Sequence, residues 1–216
     1  MNNLNQYLDH TNLKPDVTEE DIKKLCQEGK EYGFYSVCVN GCHVALASKL
    51  LDKTDVKICA VVGFPLGAMS TLAKGYELDQ ACKDGASEID VVINVGALKE
   101  GRYAYVQNEI ATLSVLAEDY NSILKVILET CLLSDEEIVK ACQLVMNTGA
   151  AFVKTSTGFS TGGATTHDVA LMKATVGDKL KIKASGGIRD SKTAIEMIKA
   201  GADRIGASAS VSMVTA

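Results

Sequence analysis

In the stretch Met146-Asn147-Thr148-Gly149-Ala150-Ala151-Phe152-Val153-Lys154-Thr155-Ser156-Thr157-Gly158, a helical pattern stops at a glycine and an apolar run follows. The run ends on a lysine, after which small hydroxyl residues take over. Glycine after a periodic segment is a helix stop, and a short apolar run bounded by turn residues reads as a buried strand. The phrase recurs. Cys82-Lys83-Asp84-Gly85-Ala86 and Ile198-Lys199-Ala200-Gly201-Ala202 also close a helix with glycine and enter a strand. A unit returning every ~25–30 residues has the period of repeated supersecondary structure.

The alternation extends to both ends of the chain. A first short strand, Tyr7-Leu8-Asp9-His10-Thr11, precedes Pro15 and a helix that opens at Thr18-Glu19-Glu20-Asp21, buries Ile22, Leu25 and Cys26, and stops at Gly33. Strands are then expected at Ser36–Val39, Val56–Val62, Glu88–Ile93, Ile123–Leu128, Ala150–Lys154, Leu180–Ala184 and Asp203–Gly206. Helices are expected at about Gly41–Leu51, Ala73–Cys82, Leu98–Ala117, after the Ser134-Asp135-Glu136-Glu137 capping box, at Thr165–Val176 and at Asp190–Lys199. Eight strands in strict alternation, read as apolar on both faces, predict a (β/α)8 TIM barrel, a single domain over residues 1–216. The alternative, a doubly wound open sheet, lacks a G-x-G-x-x-G after the first strand.

Bulk properties narrow the function. Hydrophobic residues make up 47% and charged residues 23% of the chain, an ordinary globular balance. A net charge of −5 without any Lys/Arg run argues against a nucleic-acid partner. Met1-Asn2-Asn3-Leu4-Asn5-Gln6 has neither a positive start nor an apolar core, and no apolar run reaches membrane-spanning length, so a cytoplasmic protein without a membrane partner is expected. Seven cysteines, an odd number, lie mostly inside apolar patterns as reduced core residues. Cys38, Cys42 and His43 hint weakly at a metal, but no second ligand cluster completes a site, and neither metal nor cofactor is expected.

Three ionisable residues interrupt apolar strands: Asp90, Lys154 and Lys183. Burying any of them unpaired is costly, so each needs a partner or a task. A lysine at a buried strand tip loses hydration, which disfavours the charged amine and leaves a neutral fraction able to attack a carbonyl; the other reading is a lysine that snorkels to solvent or pairs with a carboxylate. A second ammonium from Lys183 adds like-charge repulsion, and Asp90 paired with Lys183 can move protons through a water. A purely structural ion triad is the competing account. In this fold functional groups sit at the C-terminal strand ends, and the loops after the seventh and eighth strands commonly hold phosphate. Here those loops are Ser185-Gly186-Gly187-Ile188-Arg189 and Gly206-Ala207-Ser208-Ala209-Ser210. Their backbone N–H groups suit an anion, unless the glycines only make tight turns.

The segment Lys154-Thr155-Ser156-Thr157-Gly158-Phe159-Ser160-Thr161-Gly162-Gly163-Ala164-Thr165 resembles the Schiff-base segment of deoxyribose-phosphate aldolase, a class I aldolase family. The likeness extends to Leu8-Asp9-His10-Thr11, Val37-Cys38-Val39, Val62-Gly63-Phe64-Pro65, Glu88-Ile89-Asp90-Val91-Val92, Lys183-Ala184-Ser185-Gly186-Gly187-Ile188-Arg189 and Arg204-Ile205-Gly206-Ala207-Ser208, nearly the whole chain. The resemblance implies reversible, metal-free cleavage of 2-deoxy-D-ribose 5-phosphate to D-glyceraldehyde 3-phosphate and acetaldehyde, a step of deoxyribonucleotide catabolism. It implies that Lys154 forms the Schiff base and that Asp90 and Lys183 relay protons. It implies that Asp9, Thr11, Cys38 and Thr157 line the substrate pocket, with the phosphate on Gly158, Gly186, Gly187, Ser208 and Ala209. One departure stands out: some members carry a C-terminal tail ending in Tyr, and none of the seven Tyr lies near Val214-Thr215-Ala216.

Two rivals remain at the level of sequence: a transaldolase-like Schiff-base barrel, and a barrel that binds a sugar phosphate without turnover. The expected partner in either case is a small sugar phosphate. The sequence does not set the oligomeric state, and a homodimer is compatible with it.

Overall fold

In the computed structural model, which describes residues 3–215, eight strands alternate with helices. Met1 and Asn2, the start of the segment read as lacking a leader, and Ala216, the last residue of the segment read as lacking a tyrosine tail, lie outside the described residues. The strands are β1 (Leu8–Asn12), β2 (Ser36–Val39), β3 (Lys57–Val62), β4 (Glu88–Val92), β5 (Ile123–Ile127), β6 (Phe152–Lys154), β7 (Lys181–Ser185) and β8 (Arg204–Ala207). Each pairs in parallel with the next, and β8 returns to β1 through Leu8↔Ile205 and His10↔Ala207, closing the barrel. The helices are α1 (Glu19–Glu31), α2 (Val44–Leu50), α3 (Thr71–Lys83), α4 (Val95–Lys99), α5 (Tyr103–Asp119), α6 (Asp135–Val145), α7 (Thr166–Val176), α8 (Ser191–Ala200) and α9 (Ser210–Thr215).

Local chemistry accounts for most boundaries. Thr18 with Asp21 and Ser134 with Glu137 form reciprocal capping boxes that satisfy orphan N–H groups at the starts of α1 and α6. The repeated glycine phrase has a conformational cause. Gly85, Gly149 and Gly201 take φ of 112°, 84° and 120°, a region that carries no Cβ penalty only for glycine, and each turns the chain from a helix into the next strand.

Three expectations change. The helix expected over Leu98–Ala117 is two helices, because Gly101 at φ 72° breaks the ladder between α4 and α5. The segment from Gly41 begins as a 3-10 turn, Gly41–His43, before α2. The strands are not apolar on both faces. Their outward positions, among them Leu8, Val37, Ile58, Ile89, Leu124, Val153, Ile182 and Ile205, share one apolar cluster with helix residues such as Ile22, Leu78, Ile110, Ile138, Val169 and Ala194. The alternate, inward positions bury Asp9, Glu88, Asp90, Lys125, Lys154, Lys183 and Arg204, with a small apolar patch at Cys38, Cys59 and Val61.

A separate buried ion pair locks α3 to α5 outside the barrel. Lys74 Nζ lies 2.7 Å from Glu109 Oε1 and donates to the Val92 carbonyl at 2.8 Å, while Thr71 Oγ1 donates to Glu109 Oε2 at 3.1 Å. Burial pushes the Lys74 pKa down against the opposing pull of Glu109. Glu109→Gln strands the ammonium, and unfolding in urea should show a loss of about 3–5 kcal/mol. The pair Lys74→Met with Glu109→Leu should recover most of it. A single variant as stable as the parent would show that this pair carries no stability.

Candidate active site

Strand register gathers the charges. Residues paired across a parallel ladder project to the same side, and the pairs include Asp90↔Lys125, Lys154↔Lys183 and Lys183↔Arg204. Inside the barrel they form a closed ring of alternating sign. Asp90 Oδ1 meets Lys125 Nζ at 2.7 Å, Lys125 meets Glu88 Oε2 at 2.8 Å, and Glu88 meets Arg204 at 3.3 Å. Arg204 continues to Asp9 Oδ1 at 2.8 Å, Asp9 Oδ2 contacts Lys183, and Lys183 Nζ returns to Asp90 Oδ2 at 2.8 Å. Lys154 Nζ joins from one side at 2.7 Å from Asp90 Oδ2. The guanidinium of Arg204 lies 3.4 Å from the centre of the Tyr35 ring at the far end.

The ring sets the protonation of its members. Burial pushes the Asp9 carboxyl up, but Lys183, Arg204 and Lys125 together outweigh it and hold it below the usual carboxylate range. Asp90 behaves alike: burial opposes ionisation, yet the ammonium groups of Lys125, Lys154 and Lys183 hold it well below. For Lys183 and Lys125 burial favours the neutral amine, and the facing carboxylates, Asp9 and Asp90 for one and Asp90 above all for the other, reverse that and raise both above the ordinary lysine value.

Cys59 Sγ donates to Asp90 Oδ1 at 3.1 Å, and burial with the neighbouring Cys38 and Asp90 raises its thiol well above normal. Cys38, Cys59 and Asp90 are the group of metal-ligand type that lies close enough together among the described residues. A cation there would stand beside the ammonium groups that already neutralise Asp90, so this donor set is a poor fit for a metal. Cys42, named with Cys38 in the weak metal reading, is exposed on the outside.

Above the ring opens a cavity of about 260 Å³ at the C-terminal strand ends. Among the described residues its lining includes Lys14, Lys154 and Arg189 but no carboxylate, so it favours an anion. Gly158, Gly186 and Gly187 line it at φ of 85°, 85° and 78°. Among the described residues, their N–H groups and those of Ser208 and Ala209 find no acceptor, which leaves a set of backbone donors for a ligand. Close packing holds these loops: a Cβ on Gly163 would lie 2.2 Å from the Gly186 carbonyl oxygen, so only glycine fits there.

Comparison with known proteins agrees with this geometry. The family model for DeoC/LacD family aldolases matches residues 4–212. The chain belongs to the DeoC/LacD aldolase family. A deoxyribose-phosphate aldolase of Alkaliphilus oremlandii is 59% identical over 212 residues, covering 98% of this chain and 95% of its own. The enzyme of that name from Clostridium tetani is 55% identical over 211 residues, covering 98% and 97%. Among solved structures, an aldolase called QR15 superposes with a TM-score of 0.94 at 44% identity, covering 99% and 95%. A deoxyribose phosphate aldolase from Aeropyrum pernix, described as tetrameric, gives 0.92 at 34%, covering 98% and 89%.

The aldolase barrel brings Asp90, Lys154 and Lys183 within one hydrogen-bond network. Thr11, Thr157, Gly158, Gly186, Gly187 and Ser208 line the cavity. Asp9 and Cys38 do not; both are sealed in the interior below it, Asp9 as a member of the ring. Ala209 sits at the edge of the apolar core, outside that lining. Sequence reading missed Lys125, Glu88 and Arg204, although Lys125 interrupts an apolar strand just as Asp90 does. The ring predicts a pH signature. Carboxylates held below their unfolded value of about 4 contribute stability that is full above that value and lost as pH falls through it. Urea midpoints should therefore hold steady above about pH 5 and fall steeply below about pH 4. Asp9→Asn should flatten that slope while lowering stability overall, and an unchanged slope would show that Asp9 is not a contributor.

Proposed function

We propose that this aldolase works through a Schiff base on Lys154 and cleaves 2-deoxy-D-ribose 5-phosphate to D-glyceraldehyde 3-phosphate and acetaldehyde. The observation that carries the reading is that Lys154 is the amine of the buried network that also lines the anion-favouring cavity, whereas Lys125 and Lys183 stay in the ring. The names of the relatives support the substrate.

Lys154 attacks the C1 aldehyde, and loss of water leaves an iminium. A base then takes the C3 hydroxyl proton through water, a role that falls to Asp90 with Lys183. The C2–C3 bond breaks, its electron pair moves toward the iminium to give an enamine, and glyceraldehyde 3-phosphate departs. Protonation of C2 and hydrolysis release acetaldehyde and the free amine. The ring tolerates this chemistry. Asp9, Glu88 and Asp90 are matched by Lys183, Lys125 and Arg204, so Lys154 can leave Asp90 without stranding a buried carboxylate.

Gly158, Gly186, Gly187 and Ser208 supply N–H groups to the phosphate, and Thr11 and Thr157 face the sugar. Asp9 and Cys38 act from beneath. Among the described residues no helix is long and apolar enough to cross a membrane, which accords with a cytoplasmic location. Exposed Leu72 and Tyr76, one turn apart on α3, with Leu66 before them, form an apolar strip suited to a homodimer.

Borohydride with acetaldehyde should add a two-carbon fragment to the peptide holding Lys154, and a label on Lys183 instead overturns the assignment. Asp90→Asn should still trap the imine while turnover falls by about 10²-fold or more; near-normal kcat in a folded variant rules out the relay. Ser208→Asp should raise KM for the phosphorylated sugar far more than for free deoxyribose, and equal losses would exclude a phosphate site there.

A further inference from the structure

At the exit of β5, Glu129 adopts a conformation that glutamate seldom takes. Its φ of 59° is in the left-handed region, costly for any residue with a Cβ, and only 4% of its surface is exposed. The residues on either side already tie this loop to the segment around Lys154. Leu128 N–H donates to the Lys154 carbonyl and Thr130 N–H to the Thr155 carbonyl, each at 2.9 Å. The Glu129 carboxylate is thus not needed to hold the two loops together, and it goes to Thr157. Oε1 accepts the Thr157 backbone N–H at 3.1 Å, and Oε2 accepts the Thr157 hydroxyl in a short contact. Phe159 N–H donates to the same hydroxyl oxygen at 3.0 Å.

A carboxylate has no hydrogen to give, so the Thr157 hydroxyl hydrogen is committed to Glu129 and one lone pair is committed to Phe159. One acceptor lone pair remains, on a residue that lines the cavity with Lys154. A hydroxyl can fill it, whereas a phosphate oxygen is repelled. We propose that Glu129 is a positioning residue that fixes the Thr157 hydroxyl as an acceptor and thereby selects a hydroxyl of the bound sugar as its partner. Backbone strain kept at a buried acid beside a site fits such pre-organisation. The assignment rests on the sugar-phosphate reading above.

The test compares two reactions: turnover of 2-deoxy-D-ribose 5-phosphate, which brings hydroxyls to the cavity, and borohydride trapping with acetaldehyde, which has none. Glu129→Gln keeps the shape and an acceptor for the Thr157 N–H, but it turns an amide donor toward the hydroxyl and reverses that hydrogen bond. Its kcat/KM on the sugar phosphate should fall about tenfold, the size of one hydrogen bond. Its trapping rate should fall much less. Thr157→Val should lose the same interaction, and the double variant should be no worse than Thr157→Val alone. Sugar turnover by Glu129→Gln within about twofold of the parent overturns the proposal. Equal losses in both reactions with a lower Tm also overturn it, because they mark a purely structural role. A parent that traps acetaldehyde but leaves the sugar phosphate intact sinks the substrate reading and this proposal together, whereas normal parent turnover with an unaffected variant sinks only the latter.

Discussion

A carboxylate removed from water must be neutralised where it stands, and in this barrel that requirement falls on Asp90. It is fully buried and receives Lys125 on one oxygen and both Lys154 and Lys183 on the other. Each of those amines, brought inside for Asp90, must itself be matched, which calls in Glu88 and Asp9 and then Arg204 between them. Removing one partner from such a network costs far more than the net worth of the pair. The inward face of the barrel is therefore an ionic core, and the outward face, packed on the helices, carries the hydrophobic contribution to stability.

That division explains which parts of the molecule could be read from the chain. The outward face, the glycine stops and the capped helix starts leave periodic marks, so the strands fall within a residue or two of their expected ends. Asp90, Lys154 and Lys183 were legible because a charge inside an apolar strand has no ordinary explanation. Lys125 carries the same mark in Ile123-Leu124-Lys125-Val126-Ile127 and could have been found by it. Glu88 and Arg204 begin their strands, where a charge usually faces solvent, and only the closed register shows them turned inward. Glu129 left no trace, since a left-handed backbone at a non-glycine residue is imposed by tertiary contacts and not by local preference. The break at Gly101 and the short α9 were missed for a related reason: the helical period continues across the first, and the second is too brief to show one.

The site itself is built from two kinds of donor. Ammonium groups below supply charge that can move, while glycine N–H groups above supply fixed dipoles that cannot. Among the described residues, Lys154 alone belongs to both levels, being bonded to Asp90 and lining the cavity. The loops that carry the dipoles are held by backbone contacts such as Ala164 N–H to the Ser185 and Gly186 carbonyls, so their donors are aimed before any ligand arrives.

Arg204 stacked on the Tyr35 ring, with Phe152 and Lys181 beside it, stoppers the barrel at the end opposite the cavity. The far end of the interior is thereby filled by stacked rings and cations, whereas the near end opens on the cavity. Asp90 faces the cavity through the amine of Lys154, so any change in what that amine carries is felt first by the buried acid beneath it.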